Sequence, residues 1–101
     1  MLTRIVRMAF RPEETETFRK IFNRSKNLIR NMPGCRHLEL HTDYHDDSIF
    51  FTISIWETET DLENYRKSSV FEETWKDTKA LFREKPIAYS LRNQEILDSN
   101  K

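Results

Sequence analysis

His37, His41 and His45 recur at intervals of four, with Glu39 between the first two and Cys35 just ahead of them. On an extended chain alternate residues share a face, so His37, Glu39 and His41 lie side by side, an arrangement suited to passing a proton between imidazole and carboxylate. His37 and Glu39 are therefore the candidate catalytic pair. The ordinary alternative is a set of strand histidines satisfied by their neighbours. A spacing of four gathers metal ligands on one face only in a helix, so no metal site is expected. Cys35 follows a Pro-Gly turn, and without a legible Cys-His relay it reads as a small buried residue rather than a nucleophile. Gly34 is the only glycine, which excludes the glycine-rich loops that cradle nucleotide phosphates.

A second group is aromatic. Trp56, Tyr65, Phe71, Trp75 and Phe82, with Phe18 and Phe22, are numerous enough to wall an apolar cavity, although rings at helical spacing more often simply fill a core. Thr52 and Ser54 precede Trp56 at alternate positions. Small polar side chains on that strand face leave room that a compact core would fill, which favours a pocket. The candidate substrate-binding residues are thus Trp56, Tyr65, Phe71, Trp75, Thr52 and Ser54.

These residues must be positioned by a pattern that occurs twice. Leu2 to Phe10 has the composition of a strand, Pro12 with Glu13 and Glu14 suits a helix start, and Phe18, Ile21, Phe22, Leu28, Ile29 and Met32 mark one helical face. Pro33-Gly34 stops that helix. Cys35 to Thr42 and Ser48 to Trp56 form two strands around a polar loop, Asp43 to Asp47. The second helical region is expected in two pieces that break near Ser68-Ser69, because Thr60 with Glu63 and Ser69 with Glu72 each have capping-box spacing. Its inner face carries Leu62 and Tyr65, then Phe71, Trp75, Thr78 and Leu81 or Phe82, and it ends before Pro86. Ile87 to Leu91 is the fourth strand, and residues 92–101 are a polar tail.

A strand-helix-strand unit used twice points to an α+β domain over residues 2–91, with a four-stranded sheet and both helices on one face. Pairing Thr42 with Ile49 sets Leu40 opposite Phe51 and Leu38 opposite Ile53. That register separates an aliphatic set (Leu38, Leu40, Ile49, Phe51, Ile53, Ile55) from a mixed set containing Cys35, His37, Glu39, His41, Phe50, Thr52, Ser54 and Trp56. Two readings stand. Either the aliphatic set meets a second copy of the sheet and the mixed set lines a pocket, or the aliphatic set is the helix-facing core. In both, the sheet face left bare by the helices calls for a twofold partner, since a soluble monomer rarely exposes so large an apolar patch.

Composition narrows the function classes. With 101 residues, 37% apolar and 34% charged, the chain is expected to be one soluble globular domain. Its 17 basic and 17 acidic residues cancel, leaving no electrostatic footprint for nucleic acid or an anionic membrane. Arg4 and Arg7 interrupt the first apolar run, so neither a signal peptide nor a membrane span is expected. A lone cysteine fits a reducing compartment, and a cytoplasmic location is expected.

In this order the motifs resemble one family. Pro12-Glu13, the Phe18 to Phe22 helix, Pro33-Gly34-Cys35 followed by Leu38-Glu39-Leu40, Ile55-Trp56-Glu57, and Leu62-Glu63-x-Tyr65-Arg66-x-Ser68 with Phe71 are similar to the antibiotic biosynthesis monooxygenase domain family over residues 2–91. The resemblance implies a ferredoxin-like βαββαβ fold with a four-stranded antiparallel sheet. It also implies that two sheets pack back to back as a homodimeric α/β barrel, with a cavity between each sheet and its own helices. It favours the aliphatic set as the dimer face and Trp56 in the cavity. Characterised relatives include cofactor-independent oxygenases of quinols and polyketide phenols, so the resemblance implies a monooxygenase acting on a small aromatic ligand without a cofactor. The haem-degrading branch departs from this chain, which has Trp75 in place of a haem-ligating histidine and Val6 or a neighbour in place of a strand-one asparagine; indole cannot supply the ligand. The alternative is a non-catalytic, ligand-binding or stress-associated homodimer of the same fold.

Overall fold

A computed structural model describes residues 1–98. Four strands, β1 (Leu2–Ala9), β2 (Cys35–Thr42), β3 (Ile49–Trp56) and β4 (Ile87–Leu91), form one antiparallel sheet in the order β2-β3-β1-β4. Helices α1 (Thr15–Arg30), α2 (Glu59–Arg66) and α3 (Ser69–Lys79) connect them. This is the ferredoxin-like α+β topology, in which each helical crossover joins strands separated by one other strand. Of the tail expected over 92–101, residues 92–98 are exposed and irregular, and 99–101 lie outside the described residues. Among the described residues, no helix is long and apolar enough to cross a membrane.

The helix starts follow local chemistry. Pro12 opens a 3-10 turn, Pro12–Glu14, whose acidic residues sit at the positive end of the α1 dipole. Phe18, Ile21, Ser25 and Ile29 are the buried row of α1. The expected row included Leu28, which is 58% exposed. Ser25 is buried in that row instead, its hydroxyl donating to the Ile21 carbonyl at 2.9 Å, so the polar atom is satisfied inside the helix.

The second helical region does break at Ser68, but its caps fall elsewhere than at Thr60 and Ser69. Thr58 caps α2 by accepting from the Asp61 amide at 3.1 Å, and Ser68 caps α3 by accepting from the Phe71 amide at 3.2 Å. Each hydroxyl has extended backbone at its own position, as an N-cap requires. Helix α3 ends at Lys79 rather than running to Phe82, because the chain turns back so that Phe10 bridges Phe82 and the Arg11 amide bonds the Leu81 carbonyl at 3.0 Å.

Gly34 makes the turn from α1 into β2 with a φ of 84°, and a Cβ there would lie 2.3 Å from the Asp61 carboxyl carbon. Both the left-handed backbone and the close approach of α2 demand glycine. Gly34→Ala is expected to cost at least ~1 kcal/mol, seen as a melting midpoint lowered by about 4 °C or more. An unchanged midpoint would show that the turn relaxes freely.

The hairpin register differs from expectation by one residue. Thr42 pairs with Phe50, Leu40 with Thr52 and Leu38 with Ser54, and a bulge between Cys35 and His37 sets Cys35 opposite Trp56. The cause is the loop: the Asp43 amide donates to the Ile49 carbonyl at 2.8 Å, and the Asp46 carboxylate accepts from both the amide and hydroxyl of Ser48. These side-chain turns close the loop over residues 44–48 and extend the ladder to Asp43. A one-residue change exchanges the faces of a whole strand. Leu38 and Leu40 therefore join Phe50, Thr52, Ser54 and Trp56 beneath the helices, while His37, Glu39 and His41 join Ile55, Ile53 and Phe51 on the open side.

Two apolar clusters hold sheet and helices together. Met8, Phe10, Phe18, Ile21, Phe50 and Leu81 form one; Cys35, Trp56 and Leu62, with Leu2, Met32 and Tyr65 against them, form the other.

Candidate functional site

Between the two clusters lies a cavity of about 270 Å³. Its floor is the helix-facing side of the sheet, where Arg4, Val6 and Met8 of β1 alternate with outward residues and Thr52, Ser54 and Trp56 do the same on β3. Small Thr52 and Ser54 create the space. Across it, α1 contributes Phe22 and Ile29, α2 contributes Leu62, Tyr65 and Arg66, and α3 contributes Phe71, Thr74, Trp75 and Thr78.

The aromatic wall is continuous. Tyr65 stacks on Trp56 with centroids 5.1 Å apart, Phe71 meets Tyr65 edge-on at 5.2 Å, and Trp75 stacks on Phe71 at 5.7 Å. Beyond the cavity the series runs on into the core, where Trp75 meets Phe82 at 5.6 Å, Phe82 stacks on Phe10 at 5.2 Å and Phe10 on Phe18 at 4.4 Å. Phe18 and Phe82, expected among the rings around the cavity, fill this core and do not line it, whereas Phe22 does. The break between α2 and α3 lets one face of each short helix contribute rings to the same wall.

Polar groups in this setting are few. Trp56 is fully buried, and its indole N–H donates to the Ser54 hydroxyl at 2.9 Å, so neither polar atom is left unpaired. The Thr78 hydroxyl donates to the Thr74 carbonyl at 2.7 Å. Burial, with Cys35 nearby, pushes the Tyr65 phenol well above its ordinary range, so it stays neutral and able to donate. No side-chain hydrogen bond engages the Tyr65 hydroxyl among the described residues. The Arg4 guanidinium donates to the Ser90 hydroxyl at 3.0 Å; burial and then the charge of Arg66 lower its pKa, while Glu63 acts in the opposite sense. Arg66 itself lies 3.4 Å from the Glu63 carboxylate.

All six residues expected to bind substrate line this one cavity. His37 and Glu39 do not. Grouping them with Trp56 rested on the one-residue register difference, and they lie on the opposite face of the sheet. There the Glu39 carboxylate bridges the His37 and His41 side chains, and those two hydrogen bonds, His41 first, hold its pKa below the ordinary carboxylate value. Cys35 is buried beside Trp56, and burial pushes its thiol up, against nucleophilic use.

Arg4 and Arg66 were not singled out from sequence. For Arg4 a signal was present: Leu2, Arg4, Val6 and Met8 share one strand face, so a charged residue recurs within an otherwise apolar alternation. A half-buried charge on a core-facing position is a functional marker.

The split strand-helix-strand topology, with an apolar cavity between sheet and helices, defines a ferredoxin-like α+β domain. A crystal structure of an antibiotic biosynthesis monooxygenase superposes with a TM-score of 0.89 at 19% identity, covering 94% of this chain and 100% of that one. Rv0793 from Mycobacterium tuberculosis matches with a TM-score of 0.87 at 15% identity over 96% and 98% of the two chains. PA3566 from Pseudomonas aeruginosa gives 0.83 at 23% identity over 93% and 94%. At these identities the likeness shows the fold. No curated protein matches the chain. The family model of the antibiotic biosynthesis monooxygenases (ABM) matches residues 1–80, from β1 through α3, and the chain belongs to that family.

Proposed function

We propose that the chain is a cofactor-independent monooxygenase acting on a small aromatic, quinol or polyketide-like compound held in this cavity. The observation that carries the reading is the pocket itself: about 270 Å³, walled by Trp56, Tyr65, Phe71 and Trp75, with a few convergent polar groups. An electron-rich ring bound there is desolvated and held flat between rings. Loss of a proton from such a substrate yields an anion that can reduce oxygen directly, and Arg4 and Tyr65, which both line the cavity, would stabilise that anion. In the balanced reaction a ring CH2 becomes C=O. One oxygen atom enters the product, and the other leaves as water with both hydrogens.

We also propose a homodimer formed through the open sheet face. Rows of paired residues cross that face, Glu39-Ile53-Ile5-Tyr89 and His41-Phe51-Arg7-Ile87, and Ile87, Tyr89 and Leu91 are 43%, 54% and 46% exposed. Stacking two such sheets removes Ile5, Phe51, Ile53, Ile87 and Tyr89 from water. In that dimer the His37-Glu39-His41 group would lie at the edge of the interface, away from the substrate.

One observation favours a second reading. Among the described residues the cavity lining has no His, Asp or Glu to act as a general base, which favours a non-catalytic ligand-binding dimer. An oxygen electrode decides between them: purified protein with a panel of quinols and anthrone-like phenols is expected to consume oxygen well above the buffer rate. Uptake no faster than the buffer control across the panel would select the binding-only role.

A further inference from the structure

The cavity carries an unbalanced charge. Arg4 and Arg66 both line it and no carboxylate does; burial and then the nearby charge of Arg66 disfavour the charged form of Arg4, with Glu63 acting in the opposite sense. Arg66 has a carboxylate partner, Glu63 at 3.4 Å. Arg4 does not share one within ion-pair distance among the described residues; its side-chain hydrogen bond goes to the neutral Ser90 hydroxyl. A guanidinium carries five N–H donors in a planar fork, so one bond to a hydroxyl leaves most of its donors unused. Such a cation, facing a largely apolar cavity beside a second cation, is complemented by an anion, and a carboxylate matches the fork with two parallel hydrogen bonds.

Size sets the rest of the ligand. A cavity of about 150 Å³ accepts one benzene ring, so the 270 Å³ here suits two fused rings and is small for three or four. The flat faces of Tyr65 and Trp75, and the gap left by Thr52, favour a planar body.

We propose that the cavity selects a bicyclic aromatic acid, with its carboxylate on the Arg4 guanidinium, Arg66 at the rim reinforcing the charge, and its rings against the aromatic wall. Arg4 is thus a specificity-determining residue. The inference rests on the reading of this cavity as an aromatic-ligand site, and it does not require that the ligand be oxidised.

Isothermal titration of the purified full chain with 2-naphthoate and with its neutral isostere 2-naphthamide tests it. The expected result is that 2-naphthoate binds at least tenfold more tightly, and that Arg4→Gln brings the ratio close to one by weakening the acid far more than the amide. Arg66→Gln is expected to lower the ratio a few-fold. Equal affinities in the unaltered protein, absence of binding by either compound, or a ratio that survives in Arg4→Gln would each overturn the proposal. Circular dichroism establishes that each variant is folded; if Arg4→Gln is not, Arg66→Gln decides, and a ratio reduced by less than twofold overturns it. Binding is read without turnover, so the two conclusions fail separately. Oxygen uptake with neutral quinols but no acid preference removes this inference alone, whereas acid preference without oxygen uptake removes only the oxygenase reading.

Discussion

Trp56→Ala is expected to lower the free energy of unfolding by about 3–5 kcal/mol. Trp56 is completely buried at the end of β3, stacks on Tyr65, packs with Cys35 and Leu62, and keeps its N–H on the Ser54 hydroxyl. Truncation removes the whole indole from a site where sheet and α2 cannot collapse together without moving Gly34, against which Asp61 is already packed. It also leaves the Ser54 hydroxyl without its donor. A domain of this kind has roughly 5–15 kcal/mol of stability in total, so the variant would be near its threshold. Urea unfolding followed by far-ultraviolet circular dichroism measures the loss. Trp56→Phe should recover part of it, since a ring remains to stack on Tyr65. A loss below about 1 kcal/mol for the alanine variant would mean that Trp56 is not the keystone of its cluster.

Ile53→Glu is expected to convert the proposed dimer to monomers. Ile53 sits in the middle of the open face, paired with Ile5 on one side and Glu39 on the other. The new carboxylate would be buried against the second sheet without a cationic partner at its own position, and it would stand beside the existing Glu39. Burying an unpaired charge costs several kcal/mol, enough to raise a dissociation constant by more than a hundredfold at about 1.4 kcal/mol per decade. Sedimentation velocity at micromolar protein is the direct measurement. A variant that stays dimeric would move the interface to another surface, and an unaltered protein that sediments as a monomer would remove the dimer proposal itself.

The strands and the split helix were legible because each is bounded by strong local signals. β2 and β4 run over the expected residues, and the break at Ser68 follows from a hydroxyl placed to cap a new helix. What escaped was phase. The hairpin register was set by Asp43 and Asp46 accepting hydrogen bonds within their own loop, a choice that hydrophobic pattern does not encode. That single residue of difference transferred His37 and Glu39 away from the cavity and Leu38 and Leu40 toward it. Similarly, Ser25 displaced Leu28 from the buried row of α1, because a serine that bonds its own helix is cheap to bury. Arg4 was visible as an interruption of an apolar strand, and its meaning appeared only when α2 placed Arg66 over the same cavity.

Both tryptophans of the chain belong to the unbroken series of rings that walls the cavity. No indole therefore lies elsewhere to dilute what they report. Held in fixed relative orientation a few ångströms from Tyr65, Phe71 and Phe82, they form a chain of coupled chromophores. The indole emission of this protein is consequently a spectrum of its cavity wall, a built-in optical probe that needs no label.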